Sequence, residues 1–192
     1  MRVVRFHQMH HSLVSISKFL SLVLRHKPEL IGLQLDRHGW ADISSLIHAA
    51  NQNGRSLDLE LLIRVVHEND KQRFAISEDG MRIRASQGHS LGVDLLLEPR
   101  TPPELLYHGT IEQFLPSIRE RGLLAGARQH VHLSADVHTA EVVGRRRGEP
   151  VILVIAAAEM HREGNVFYLS QNGVWLVKHV PSSFISGHRD FT

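Results

Sequence analysis

RFAISEDGMRIRAS, residues 73–86, is the stretch on which the fold turns. Apolar and polar residues alternate through RFAIS and MRIRAS, and the EDG between them is a hairpin turn. The segment therefore reads as two short antiparallel strands. What precedes it is helical. GWADISSLIHAANQNG (39–54) sets Ile43, Leu46, Ile47 and Ala50 on one face of a helix over about 43–52, with Gly54 as its stop. SLDLELLIRVVHEND (56–70) starts from Ser56 as a cap and repeats Leu59, Leu62, Ile63 and Val66 at helical spacing over about 57–68. An earlier helix, about 13–26, finishes in FLSLVLRHKPE (19–29), where Pro28 ends it. Three helices followed by a β-hairpin is the order of a winged helix.

The first of these helices ends on Arg25, His26 and Lys27. A helix C-terminus carries partial negative charge and favours cations in its last turn, which by itself accounts for all three. Whether they do more depends on the rest of the chain.

LEPRTPPE (97–104) carries three prolines and reads as a linker. Beyond it LLYHGT, HVHLS, PVILVIAA and GVWLVKHV are short apolar strands, and IEQFLPSIRERG and DVHTAEVVGRRRG are helical stretches between them. The expected fold class is α+β, in two lobes at 1–96 and 97–192.

Of the 192 residues, 42% are hydrophobic and 22% charged, a soluble globular balance. No apolar run approaches the roughly 18 residues of a membrane span, and MRVVRFHQMHH lacks the apolar core of an export signal. There are no cysteines, which removes disulfides, thiolate zinc sites and cysteine nucleophiles and fits a reducing cytoplasm. Residues 1–95 hold 12 Lys+Arg against 10 Asp+Glu, and 96–192 hold 10 against 10. Neither half is strongly basic, so a nucleic-acid site must be a local cluster. Lysine occurs only at 18, 27, 71 and 178, so most cations are guanidinium groups, which suit bidentate recognition of phosphate.

Neither G-x-G-x-x-G nor G-x-x-x-x-G-K-[ST] occurs, so a Rossmann site and a P-loop are unsupported. His7 and His11 in HQMHH, and His130 and His132 around Val131, have metal-like spacing. No H-E-x-x-H or ligand-spaced carboxylate accompanies them, and no metal is expected. YHGT (107–110) offers an imidazole, a glycine that lets a ligand approach the backbone, and a hydroxyl. RQHVHLS (128–134) alternates Arg128, His130, His132 and Ser134 on one side of a strand; either motif alone could be a polar sheet face turned to water. Arg145, Arg146 and Arg147 in GRRRG suit a solvated helix end, Trp175 in NGVWLV suits the core, and SQGHS (86–90) reads as a loop.

Taken in order, SKFLSLVLRHKPE, GWADISSLI, KQRFAIS, IRASQGHS, LYHGT, RQHVHLS, GRRRGEPVIL and NGVWL resemble the NAD-dependent RNA 2'-phosphotransferase family, the KptA-like tRNA 2'-phosphotransferases. The resemblance covers about residues 17–180. It implies a winged-helix lobe that holds RNA and an ADP-ribosyltransferase-like lobe that holds NAD. It also implies removal of an internal 2'-phosphate such as that at a tRNA splice junction. The phosphate attacks the nicotinamide ribose to give an RNA–phospho–ADP-ribose intermediate. A ribose hydroxyl then releases RNA with a 2'-OH and ADP-ribose 1'',2''-cyclic phosphate.

The same resemblance implies a catalytic set of Arg25, His26, Arg73 and Arg128, drawn from both halves. It implies NAD contacts at His108, Gly109, Thr110, His132, Ser134 and Arg146. Relatives often have histidine where Arg147 stands, so that residue is left without a role. HQMHH has no counterpart and is expected to be a surface segment. NAD is the only cofactor implied, consumed as co-substrate, and the chain is expected to be a monomer in the cytoplasm. Two other readings are open: an ADP-ribosyltransferase acting on terminal phosphates of RNA or DNA, and a winged-helix regulator that senses NAD. The segment 57–68 weighs against the regulator, because it carries Asp58, Glu60 and Glu68 against Arg64 where a recognition helix should be basic.

Overall fold

In a computed structural model, which describes residues 2–68 and 71–187 and side chains from Leu13 onward, the chain divides between residues 96 and 97 into two units. Each has its own hydrophobic core. Both mix helix and sheet, and the fold class is α+β.

The first unit runs α1 (Arg2–Arg25), β1 (Ala41–Asp42), α2 (Ile43–Gln52), α3 (Leu59–His67), β2 (Phe74–Ile76) and β3 (Arg82–Ala85). The hairpin forms as the alternation dictates, with Phe74 opposite Ala85 and Ile76 opposite Ile83. β1 adds to its other side, giving the antiparallel order β1–β3–β2. Asp42 caps α2 by accepting from the Ser45 amide. The α3 cap is Asp58, which accepts from the Leu61 amide, rather than Ser56. The buried stripe of α3 also differs from the one expected. Leu62 and Val65 are buried, while Leu59 and Ile63 face outward. α1 begins well before residue 13, so the backbone of residues 7–11 is helical. The side chains of His7 and His11 lie outside the described residues. Leu20, Val23 and Leu24 of α1 meet Leu46, Leu62 and Ile83 in the core.

The second unit holds β4 (Leu106–Thr110), α4 (Leu115–Arg121), β5 (Leu123–Leu124), β6 (Val131–Leu133), α5 (Val137–Gly144), β7 (Val151–Ile155), α6 (Ala157–Arg162), β8 (Phe167–Leu169), β9 (Trp175–Val177), β10 (His179–Val180) and β11 (Ile185–Ser186). Two three-stranded sheets, β11–β7–β4 and β6–β9–β8, accompany the pair β10–β5. They are stitched together where the Tyr107 and Ser134 amides each donate to the other's carbonyl, at 2.9 and 2.8 Å. The segment 97–104 is more than a linker. Pro99 bridges Tyr168, and the Arg100 amide donates to the Phe167 carbonyl, extending the edge at β8. Among the described residues, no helix is long and apolar enough to cross a membrane.

Candidate functional site

Burial of Leu20, Val23 and Leu24 fixes the phase of α1 and so the position of its cationic end. Arg25 is itself buried, and its Nη2 donates to the carbonyl of Arg73, 3.4 Å away on the approach to β2. The segment 86–90, beyond β3, ties these pieces together. Ser86 donates its amide to the Arg73 carbonyl and its hydroxyl to the Gln72 carbonyl, at 2.9 and 3.0 Å. Ser90 donates its amide to the Arg25 carbonyl at 3.0 Å, and its Oγ lies 3.0 Å from Nδ1 of His26. Gln72 has a φ of 40°, a left-handed conformation that costs a non-glycine residue about 1 kcal/mol or more and persists only where surroundings enforce it. Here the Ser86 hydroxyl holds its carbonyl.

Arg25, His26 and Arg73 thus come together within the first unit. His26 and Arg73 also line a groove of about 530 Å³ with an apolar floor of Leu13, Val14, Leu22 and Val65. Lys18 and Lys71 add positive charge to its walls, against one carboxylate among the described residues, Glu68.

His89, in this strap of residues 86–90, is 1% exposed, and among the described residues neither ring nitrogen has a hydrogen-bond partner. Burial, followed by the charges of Arg25, His26 and Arg84, pushes its pKa down to about 4. The imidazole stays neutral among cations. Because the folded value lies below the unfolded one of about 6.5, stability is complete above pH 6.5. It falls as pH drops toward 4, where only the unfolded chain accepts the proton readily. The loss should reach about 3 kcal/mol. Denaturant unfolding at pH 7 and pH 4.5 should show it in the native protein, and His89→Leu should flatten that part of the pH dependence.

In the second unit, β4 and β6 bring YHGT and HLS side by side. His108 donates from Nδ1 to the His132 carbonyl at 3.0 Å. Burial, the stronger influence, lowers the His108 pKa; Arg147 acts in the same direction and the hydrogen bond to His132 opposes both. Thr110 is buried at the end of β4. Arg128 lies in the turn ahead of β6, off the strand itself. Desolvation and then the charges of Arg147 and Arg146 lower its pKa, so three guanidinium groups share one neighbourhood. Arg145 pairs with Glu141, whereas among the described residues no carboxylate is paired with Arg128, Arg146 or Arg147. A cluster of cations without acids is poised for an anion. Among the described residues, no group of three or more histidines and carboxylates is placed to hold a metal ion.

Comparison with known proteins gives the chain a family. Residues 11–179 match the family described as RNA 2'-phosphotransferase, Tpt1 / KptA family. The chain belongs to that family. It is accordingly a transferase. It is 59% identical to a probable RNA 2'-phosphotransferase of Rhodopirellula baltica over 175 residues, 91% of this chain and 95% of the relative. A protein of the same description from Pseudomonas aeruginosa is 59% identical over 170 residues, 88% of this chain and 93% of its own. One from Acaryochloris marina is 53% identical over 176 residues, 92% and 97% of the two chains.

Within this transferase the first unit gathers Arg25, His26 and Arg73, and the second gathers Arg128 with Arg146, and His108 with His132 and Ser134, Arg147 acting on both Arg128 and His108. Sequence reading gave the strap 86–90 no role. Its only local mark was a run of small polar residues around Gly88 and His89, and its contacts reach back across 64 residues to the end of α1.

Proposed function

We propose that the chain removes an internal 2'-phosphate from RNA, of the kind left at a tRNA splice junction, by transferring it to NAD. The products are RNA with a 2'-OH, nicotinamide and ADP-ribose 1'',2''-cyclic phosphate. The observation that carries this reading is the grouping of Arg25, His26 and Arg73 beside a groove with cationic walls and an apolar floor. That combination suits a phosphate monoester attached to a nucleotide. On this reading residues 1–96 are a winged-helix RNA-binding lobe, supported by three helices with the antiparallel sheet β1–β3–β2. Residues 97–192 are an ADP-ribosyltransferase-like lobe. Arg128 is assigned to the transferred phosphate; Arg146, with no paired acid among the described residues, fits the pyrophosphate of NAD, and His108, Gly109, Thr110, His132 and Ser134 are assigned to the nicotinamide-bearing ribose and pyrophosphate.

The residues match what the chemistry requires. A phosphate monoester is already an anionic nucleophile; its oxygen bonds to C1'' as the C–N bond breaks and nicotinamide leaves uncharged. No strong base or acid is needed there, only positioning. In the second step the ribose 2''-oxygen bonds to phosphorus and loses its proton, and the RNA 2'-oxygen leaves and gains one. Charge then builds on the phosphoryl oxygens, which fixed guanidinium donors stabilise.

Mass spectrometry tests the reading directly. A short RNA with one internal 2'-phosphate is incubated with the protein, with and without NAD and without added metal. NAD-dependent loss of that phosphate together with ADP-ribose cyclic phosphate is expected. RNA that keeps its phosphate and stays unmodified overturns the proposal, and RNA that keeps it but gains ADP-ribose at an end reassigns the acceptor to a terminal phosphate.

A further inference from the structure

We propose that Ser90 is a positioning residue for His26: its hydroxyl keeps a proton on the Nε2 atom of that imidazole, so that the ring can donate to phosphate whether or not it is charged. This rests on the reading of His26 as a phosphate ligand. Ser90 Oγ lies 3.0 Å from His26 Nδ1 and 3.5 Å from the Arg25 carbonyl, and the Ser90 amide donates to that same carbonyl. The backbone bond places the hydroxyl; the two side-chain distances give it two settings.

A hydroxyl can donate or accept. Toward a neutral imidazole Ser90 donates O–H to Nδ1, and the ring's one proton then resides on Nε2. Toward a charged imidazole Nδ1–H donates to Oγ, and the hydroxyl proton turns to the Arg25 carbonyl. In both settings Nε2 carries hydrogen. Without the hydroxyl, the neutral ring can place its proton on Nδ1, and Nε2 would present a lone pair to an anion.

Among the described residues, Arg25 and Lys18 on α1, Lys71 and Arg73 before β2, the buried neutral His89 and the Glu68 carboxylate after α3 lie around His26. A tautomer lock that works without a ring charge suits such a setting.

Ser90→Ala and Ser90→Thr test this with the RNA substrate above, at pH values from 5.5 to 8.5. Water reaches Ser90 and competes for Nδ1, so the change should be modest. Ser90→Ala should be about 3- to 10-fold slower at pH 8, the worth of one hydrogen bond. The deficit should vanish as pH falls and the ring takes up its second proton, and Ser90→Thr should restore the native profile. A deficit of equal size at every pH, or none at any, overturns the proposal. Nitrogen NMR of the imidazoles in the full chain gives a readout independent of activity, with His26 assigned by its absence in His26→Asn. At pH 8 the native ring should be in the Nε2–H form and the Ser90→Ala ring should be mixed; identical spectra overturn the proposal. A native protein that leaves the RNA phosphate untouched would overturn the functional reading instead, and the spectra would still decide this one.

Discussion

Arg128→Ala is expected to slow release of the 2'-phosphate by roughly 100- to 1,000-fold, the usual cost of removing one fixed donor from a developing anion. It should do so without lowering the melting temperature. Arg128 is exposed in the turn before β6, pairs with no carboxylate among the described residues, and has its charge disfavoured by desolvation and by Arg147 and Arg146. Removing it takes away repulsion, so stability should hold or rise slightly. The two steps should separate as well. In the first step of the proposed reaction, positive character grows at the ribose carbon as nicotinamide departs, and a guanidinium gives that no help. In the second, negative charge grows on phosphoryl oxygens. The variant should therefore accumulate RNA carrying phospho-ADP-ribose, visible as a mass increase before any phosphate is lost. Arg128→Lys should share most of the defect, because one ammonium does not reproduce a two-pronged contact. Full activity in Arg128→Ala would remove this residue from the phosphate-binding set.

Legibility in the sequence followed how local each determinant is. α2 was readable at about 43–52 because an apolar period of three and four runs through Ile43, Leu46, Ile47 and Ala50 and Gly54 marks its stop. The wing was readable because alternation and a glycine turn are both local. The α3 stripe was not. LELLIRVV is apolar at so many positions that two phases fit, and packing on α1 selects Leu62 and Val65. At the site, the cationic end of α1 was visible as a pattern, but a helix C-terminus explains that pattern without any function. Only resemblance raised Arg25 and His26 above it. The strap at 86–90 acts through bonds made across the tertiary fold, to Arg25, His26, Gln72 and Arg73. Serines in a loop give no sign of where their hydroxyls will end.

Gly109 shows how a motif residue can have a structural reason beside its proposed functional one. In the sequence, the glycine of HGT suggested room for a ligand. In the fold, the room is filled by the chain itself. Gly109 sits in β4 opposite Ile152 of β7, and α5 lies directly over it. A Cβ at this position would come within 1.9 Å of the Ala140 carbonyl oxygen and 2.8 Å of the Gly144 amide nitrogen. Both are backbone atoms of α5, so no side-chain rotation relieves the clash; the helix must move off the strand. Gly144 faces back at the same contact, where a Cβ would meet the Gly109 carbonyl carbon at 3.2 Å. Gly109→Ala is therefore expected to cost about 3 kcal/mol or more, the upper range for overpacking. That is a large part of the roughly 5–15 kcal/mol that holds a domain folded. Melting should fall by about 10 °C or more, given about 4–8 °C per kcal/mol for a unit of this size. Gly92→Ala is the matched control, since a Cβ there meets nothing within 4 Å, and it should melt like the native protein. Because α5 leads into Arg146 and Arg147, displacing it should also disturb the arginine cluster around Arg128, so activity should fall with stability. A Gly109→Ala protein that melted normally yet no longer bound NAD would mean that the ligand, and not α5, sets the demand for glycine.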